Sequence, residues 1–225
     1  MSMSFFEIFP TFKEAPYSYI IVPIMLVSSV IGFYHKPYFH ALLLHPYEVY
    51  RGKRLHTILT SAFVHRNWFH LLFNCIAVQG LLYDVYGNLR QERGLFYADL
   101  VTPILTIAII AIPNIAQIWK ERMNFLFTSV GASGLSFGLF GFSFLFFPLQ
   151  EIDHLFIPLI KNASQYWLYV SIIIVLLSFV KQLRINRTLH IIGYLIGSLL
   201  ALLVRNESLF EFIDAFSGQF QILRN

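Results

Sequence analysis

The feature that most constrains this chain is a series of long apolar stretches, several exceeding the ~18 residues that span a bilayer core, with few charges inside them. Segments placed in hydrocarbon must satisfy their own backbone polar groups, which leaves helices or closed barrels. Barrel strands alternate over about ten residues, whereas these runs are continuous. The chain is therefore expected to be an all-α polytopic membrane protein forming one helical domain. Composition agrees, since 57% of the 225 residues are hydrophobic and only 12% charged, against roughly 25% charged in a soluble domain. An ordinary soluble globule and a disordered chain are both excluded.

Six spans are predicted, at residues 17–33, 68–86, 95–116, 130–148, 166–180 and 189–204. Pro16 precedes the first, and Pro103 and Pro113 are expected to act as breakers in the third. Residues 34–67 mix Pro46, Glu48, Arg51, Lys53 and Arg54 with Leu42, Leu43, Ile58 and Phe63. A connection so long and so apolar is expected to pack on protein or lie in the membrane interface. The hinge at 181–187 is basic, and residues 205–225 are predicted to form a short interfacial amphipathic helix. The resulting organisation is an N-terminal segment 1–16, a six-helix domain 17–204 and a tail 205–225. Glu7 and Glu14, with no basic n-region, argue against a cleaved leader.

The net charge of +4 suits contact with anionic headgroups, and no basic run is long enough to bind nucleic acid. Membrane lipids are expected partners; nucleic acid is not. Cys75 is the single cysteine, so neither an internal disulfide nor a multi-cysteine metal site can form.

Polar groups inside a bilayer are costly and mark function or packed polar contacts. Three clusters stand out: His65 to Asn74 at the start of span two, Gly131-Ala-Ser133-Gly134 opening span four, and His190 to Gly197 opening span six. Even-numbered helices start on the same side of the membrane, so these groups share a shallow depth. His70 and Asn74, four apart, stack on one helix face about 6 Å along the axis. A serine, a histidine and two hydrogen-bond donors at one level supply the nucleophile, general base and oxyanion donors of acyl transfer. Gly131, Gly134, Gly138 and Gly141 make one smooth face on span four. Gly193, Gly197 and Ala201 share a stripe with His190 on span six. Such stripes let membrane helices approach backbone to backbone, which is expected to bring the Ser133 hydroxyl towards the His190 ring. Ser133 also lies in the first turn of its helix, where free N–H groups and the dipole favour an oxyanion.

Blander origins exist for each feature. GxxxG spacing alone is ordinary helix packing, and a lone intramembrane serine usually bonds to its own backbone. Zinc bound by three histidines is disfavoured, because His65 and His70 are about 140° apart around a helix and no acidic residue joins them. No metal or cofactor is expected. A soluble hydrolase elbow would need glycine at position 135, where Leu135 stands.

Together, His65-x4-His70-x3-Asn74, Gly131-Ala-Ser133-Gly134 and His190-x2-Gly193-x3-Gly197 resemble the rhomboid intramembrane serine proteases, in the family's order and on helices two, four and six. The resemblance covers residues 54 to 201 and implies a six-transmembrane-helix rhomboid fold with a partly membrane-embedded first loop. Arg54 matches the arginine of the family's Trp-Arg loop motif, with Lys53 in place of the tryptophan. The resemblance implies that Ser133 is the nucleophile and His190 its base, without an acidic third member. It makes His70, Asn74 and the Ser133 N–H the oxyanion hole, and His65 a structural residue. Gly131, Gly134, Gly193 and Gly197 support the site. Phe137 takes the place of a tyrosine that stacks on the base. The implied partners are transmembrane protein substrates, and the implied setting is the inner membrane of a bacterial cell.

Two other classes remain: a catalytically silent relative that binds transmembrane segments, and a transporter with a relay through His65, His70 and Asp99. Asp99 is expected to be interior and hydrogen-bonded. Asp84, near the end of span two, is offset by about two residues from a conformationally sensitive acidic position of the family and is assigned no role on that resemblance, and His35, His40, His45, His56 and His154 read as loop or interfacial residues. With the cluster facing outward, as the resemblance implies, ten of the 16 lysines and arginines fall outside and six inside. The positive-inside rule favours the reverse.

Overall fold

The computed structural model describes residues 10–152, 160–179 and 186–222. Glu7, His154, Val180 and most of the basic hinge lie outside the described residues. Ten α-helices follow one another among them, with a 3-10 turn at Ser61–Phe63 between the fourth and fifth: α1 Ser18–Tyr34, α2 Lys36–Leu42, α3 Pro46–Val49, α4 Thr57–Thr60, α5 Trp68–Arg93, α6 Leu95–Glu121, α7 Ser133–Phe146, α8 Ala163–Phe179, α9 Arg187–Val204 and α10 Glu207–Ile222. Each predicted span contains one helix. Three helices, α5, α6 and α9, are long and apolar enough to cross a membrane, while α1, α7 and α8 are apolar but shorter. The protein is an integral membrane protein, and helix length by itself establishes three crossings rather than six.

α7 is short because it is central. Its 14 residues rise about 21 Å, less than the ~30 Å hydrocarbon core, and 11 of them are buried. A helix walled in by protein need not reach both membrane faces. α9 packs along it most extensively, with α5, α6 and α8 around it. A β-carbon built at Gly193 would lie 2.5 Å from the Gly134 carbonyl oxygen, and one at Gly197 would overlap the Gly138 carbonyl oxygen. The two glycine stripes therefore meet backbone to backbone, as their spacing predicts.

Two predicted boundaries move. α5 continues through the polar stretch 87–93 and stops at Gly94, whose φ of 83° breaks the helix. α6 runs on to Glu121 through both prolines, which therefore do not break it. A proline deprives the carbonyl four residues earlier of its helical donor. For Pro103 that carbonyl is Asp99 O, and the Tyr17 hydroxyl donates to it at 2.6 Å. Tyr86 donates to the Asp99 carboxylate at 2.8 Å. Asp99 is hydrogen-bonded as expected, yet it lies exposed near the start of α6 rather than in the interior.

The segment after α1 is folded, not irregular. Arg54, in the left-handed region at φ 54°, donates to Glu48 Oε2 at 2.9 Å, to Leu43 O at 3.0 Å and to His40 O. One guanidinium thus gathers α2, α3 and the approach to α4. The Arg54 hydrogen bond holds the Glu48 carboxyl below its ordinary range. Its small contribution is present at neutral pH and fades as pH falls through the lowered value.

At the opposite end, Arg205 binds both oxygens of Glu211 and Glu92 Oε2 at 3.2 Å. It also donates to Phe146 O at 3.2 Å, an orphan carbonyl at the end of α7. A cation there also complements the helix dipole. The tail is thereby docked as α10, a helix of four turns rather than a short one.

Candidate active site

The backbone leading into α7 is fixed from three sides. Ser129 pairs with Leu44 through two hydrogen bonds of 3.0 Å, and Gly131 N donates to Ser61 O at 2.8 Å. Asn114 on α6 secures that neighbouring turn through Ile58 O at 2.7 Å. Gly131 has φ 107°, a region that L side chains rarely enter. A β-carbon there would also come within 2.7 Å of His70 Nε2. Glycine is required twice over, once for the turn and once so that the His70 ring can lie against it.

His65 holds the next residue. Ala132 N donates to His65 Nε2 at 3.2 Å, and Nδ1 lies 2.9 Å from Ser29 Oγ. Because Nε2 accepts, the proton of the neutral ring resides on Nδ1 and is donated to Ser29, whose hydroxyl passes on to Phe63 O at 3.1 Å. Both nitrogens are engaged with protein groups, which leaves neither free for a metal. Among the described residues no group of three or more His, Cys, Asp or Glu is arranged to hold a metal ion.

Ser133 begins α7 and is half-buried. No side chain caps this helix start, so its first-turn N–H groups are left without a side-chain acceptor. His70 sits in the first turn of α5, capped by Asn67 Oδ1 at 2.8 Å, with its ring edge-on to His65 at 4.9 Å. One turn later, Asn74 donates one amide hydrogen to His70 O at 2.8 Å. Its Oδ1 accepts from Ser136 Oγ at 3.1 Å, so the second amide hydrogen is left for another acceptor.

His190, in the first turn of α9, stacks on Phe137 with centroids 4.4 Å apart and planes at 30°. Phe137 lies one turn after Ser133 on the same face of α7, so the histidine ring stands over the face that begins with the serine. Among the described residues no hydrogen bond joins Ser133 Oγ to His190. Ser133, Phe137 and His190 thus form one group along the α7–α9 contact. His65, His70 and Asn74 form a second against Gly131, Ala132 and Ser136.

Three supporting residues escaped the sequence reading. Ser29 lies in a span with no motif, and its role depends on a contact between distant segments. Ser136 had a usable signal, three residues after Ser133 on the same helix. Asn186 also had one, standing three residues before Leu189 as an N-cap. It accepts from Leu189 N at 3.3 Å and donates to Ser129 Oγ at 3.0 Å, tying the start of α9 to the segment entering α7. Asn186→Ala is expected to lose about 1 kcal/mol, read as earlier thermal unfolding in detergent. An unchanged midpoint would show that the cap and the tether carry no weight.

Against known protein families, the chain matches the Rhomboid domain over residues 52–207. No curated protein matches it.

Proposed function

The chain belongs to the rhomboid family, and from that premise we propose that it is an intramembrane serine endopeptidase acting on transmembrane protein substrates. The observation that carries this reading is the α7–α9 contact, which sets the Phe137–His190 stack one turn from Ser133 at a helix start. In the proposed reaction, Ser133 Oγ attacks the scissile carbonyl carbon while neutral His190 accepts the hydroxyl proton. The oxyanion of the tetrahedral intermediate receives hydrogen bonds from Ser133 N–H, the free amide hydrogen of Asn74 and the His70 ring. Collapse passes the proton from His190 to the leaving amine and leaves a serine ester. Water then attacks that ester with His190 again as base. Ser133 and His190 must close to hydrogen-bond distance when substrate binds, a tightening common in catalytic pairs.

In this reading residues 17–204 form a domain that crosses the membrane six times, in a bacterial cell membrane with the site towards the outer face. Stacking on Phe137 orients the base in place of a carboxylate, which would be expensive at that depth.

A fluorophosphonate probe tests the reading directly. It is expected to label the purified protein, with mass spectrometry placing the adduct on Ser133. A protein that neither labels nor cleaves any model transmembrane substrate would overturn it. That result would favour the second reading, a silent relative that binds transmembrane segments.

A further inference from the structure

A cavity of about 300 Å³ lies between the end of α1, α2 and the residues just before α5, lined by Phe33, Lys36, Phe39, His40, His65 and Arg66 among others. No carboxylate lines it. Arg54 is matched to Glu48 and Arg205 to Glu92 and Glu211, while Arg51 and Arg122 are held by carbonyls and aromatic faces. At the cavity two cations have neither a carboxylate nor a close ring face. Arg66 makes one long hydrogen bond, to Thr128 O at 3.4 Å, which leaves most of its guanidinium donors unused. Lys36 reaches only the edge of a cation–π contact, 5.8 Å above Phe39, and has no hydrogen-bond acceptor among the described residues.

The depth of the cavity identifies what would neutralise it. α1 ends and α5 begins at this level, and Tyr34, Trp68 and Phe69 are exposed there, forming the aromatic belt that marks a membrane–water boundary. Phosphates of the bilayer lie at that boundary. Aromatic walls beneath two cations suit a group that is anionic above and apolar below.

We propose that this cavity binds the phosphodiester of an acidic phospholipid, with Lys36 and Arg66 as its donors and the acyl chains running down beside Phe33 and Phe39. The site shares a wall with His65, which holds Ala132, so a lipid bound here borders the support of Ser133. The proposal rests on membrane insertion and on this geometry, and does not depend on proteolysis.

Native mass spectrometry of the detergent-solubilised full chain tests it, with phosphatidylglycerol, phosphatidylcholine and inorganic phosphate as probes. Wild type is expected to retain one phosphatidylglycerol at least about tenfold more tightly than phosphatidylcholine, and Lys36→Gln with Arg66→Gln to lose that preference. The charge-retaining pair Lys36→Arg with Arg66→Lys should keep it. So should the control pair Lys13→Gln with Arg90→Gln, which removes the same charge at the opposite end. All four residues are exposed, and thermal unfolding checks that each variant is folded. Equal retention of phosphatidylglycerol by the Gln pair overturns the site. Equal binding of phosphatidylcholine, or displacement of the lipid by millimolar inorganic phosphate, overturns the acidic lipid as its occupant.

Discussion

Ser133→Ala is expected to abolish peptide hydrolysis and fluorophosphonate labelling, with a fall in kcat of at least about 10⁴-fold, while the thermal unfolding midpoint stays within error of wild type. Both halves follow from the local structure. The Ser133 side chain is half-buried, and its hydroxyl makes no hydrogen bond among the described residues, so deleting one oxygen strands no partner. Only chemistry is lost. His190→Ala should cost a similar factor in rate, and the double variant should be no slower than either single one, because a nucleophile without its base and a base without its nucleophile fail at the same step. His190→Ala differs in one respect, since it also removes the ring stacked on Phe137 and should lower stability modestly. Undiminished cleavage by purified Ser133→Ala protein would mean that another group is the nucleophile.

Gly197→Val is expected to cost the fold itself. A β-carbon at this position overlaps the Gly138 carbonyl oxygen, which belongs to helix backbone and cannot rotate aside. α7 and α9 would have to separate along their whole contact. That would undo the packing of a helix whose 11 buried residues form the centre of the bundle. Overpacking against flexible side chains costs about 1–3 kcal/mol, and against fixed backbone more. Gly193→Ala is the milder case, with its β-carbon 2.5 Å from Gly134 O, so the series should grade from Gly193→Ala to Gly197→Val. The measurement is the yield of monodisperse protein and its thermal midpoint in detergent. A Gly197→Val protein that purifies and melts like wild type would refute the close approach.

The helices were legible because bilayer thickness and backbone satisfaction leave so few alternatives. Ser133, His190, His70 and Asn74 could be singled out because polar side chains in apolar runs are few. The boundaries were less legible. Pro103 looked like a breaker because its cost is a stranded carbonyl, and no local pattern reveals that Tyr17, far away in sequence, satisfies it. The polar stretch at 87–93 read as a loop for a similar reason. Helix α5 extends past the apolar run until Gly94 stops it. Residues 34–67 could be recognised as unusually apolar for a loop. That Arg54 gathers their carbonyls was beyond any pattern, because one guanidinium serves acceptors several turns apart.

By itself the sequence determined a helical membrane protein with two smooth glycine stripes and a set of polar side chains at one shallow depth. Those follow from one-dimensional quantities: run length, spacing and which helices share a direction. Only the tertiary structure decided how the polar set divides. His65 turns away to hold Ala132 and bond Ser29, His70 lies over Gly131, and Asn74 binds Ser136, while His190 stacks on Phe137 beside Ser133. The physical reason is that periodicity fixes a residue's face and height on its own helix. Which neighbour that face meets is set by helix packing and by the backbone turn at Gly131, which bring together groups far apart in sequence.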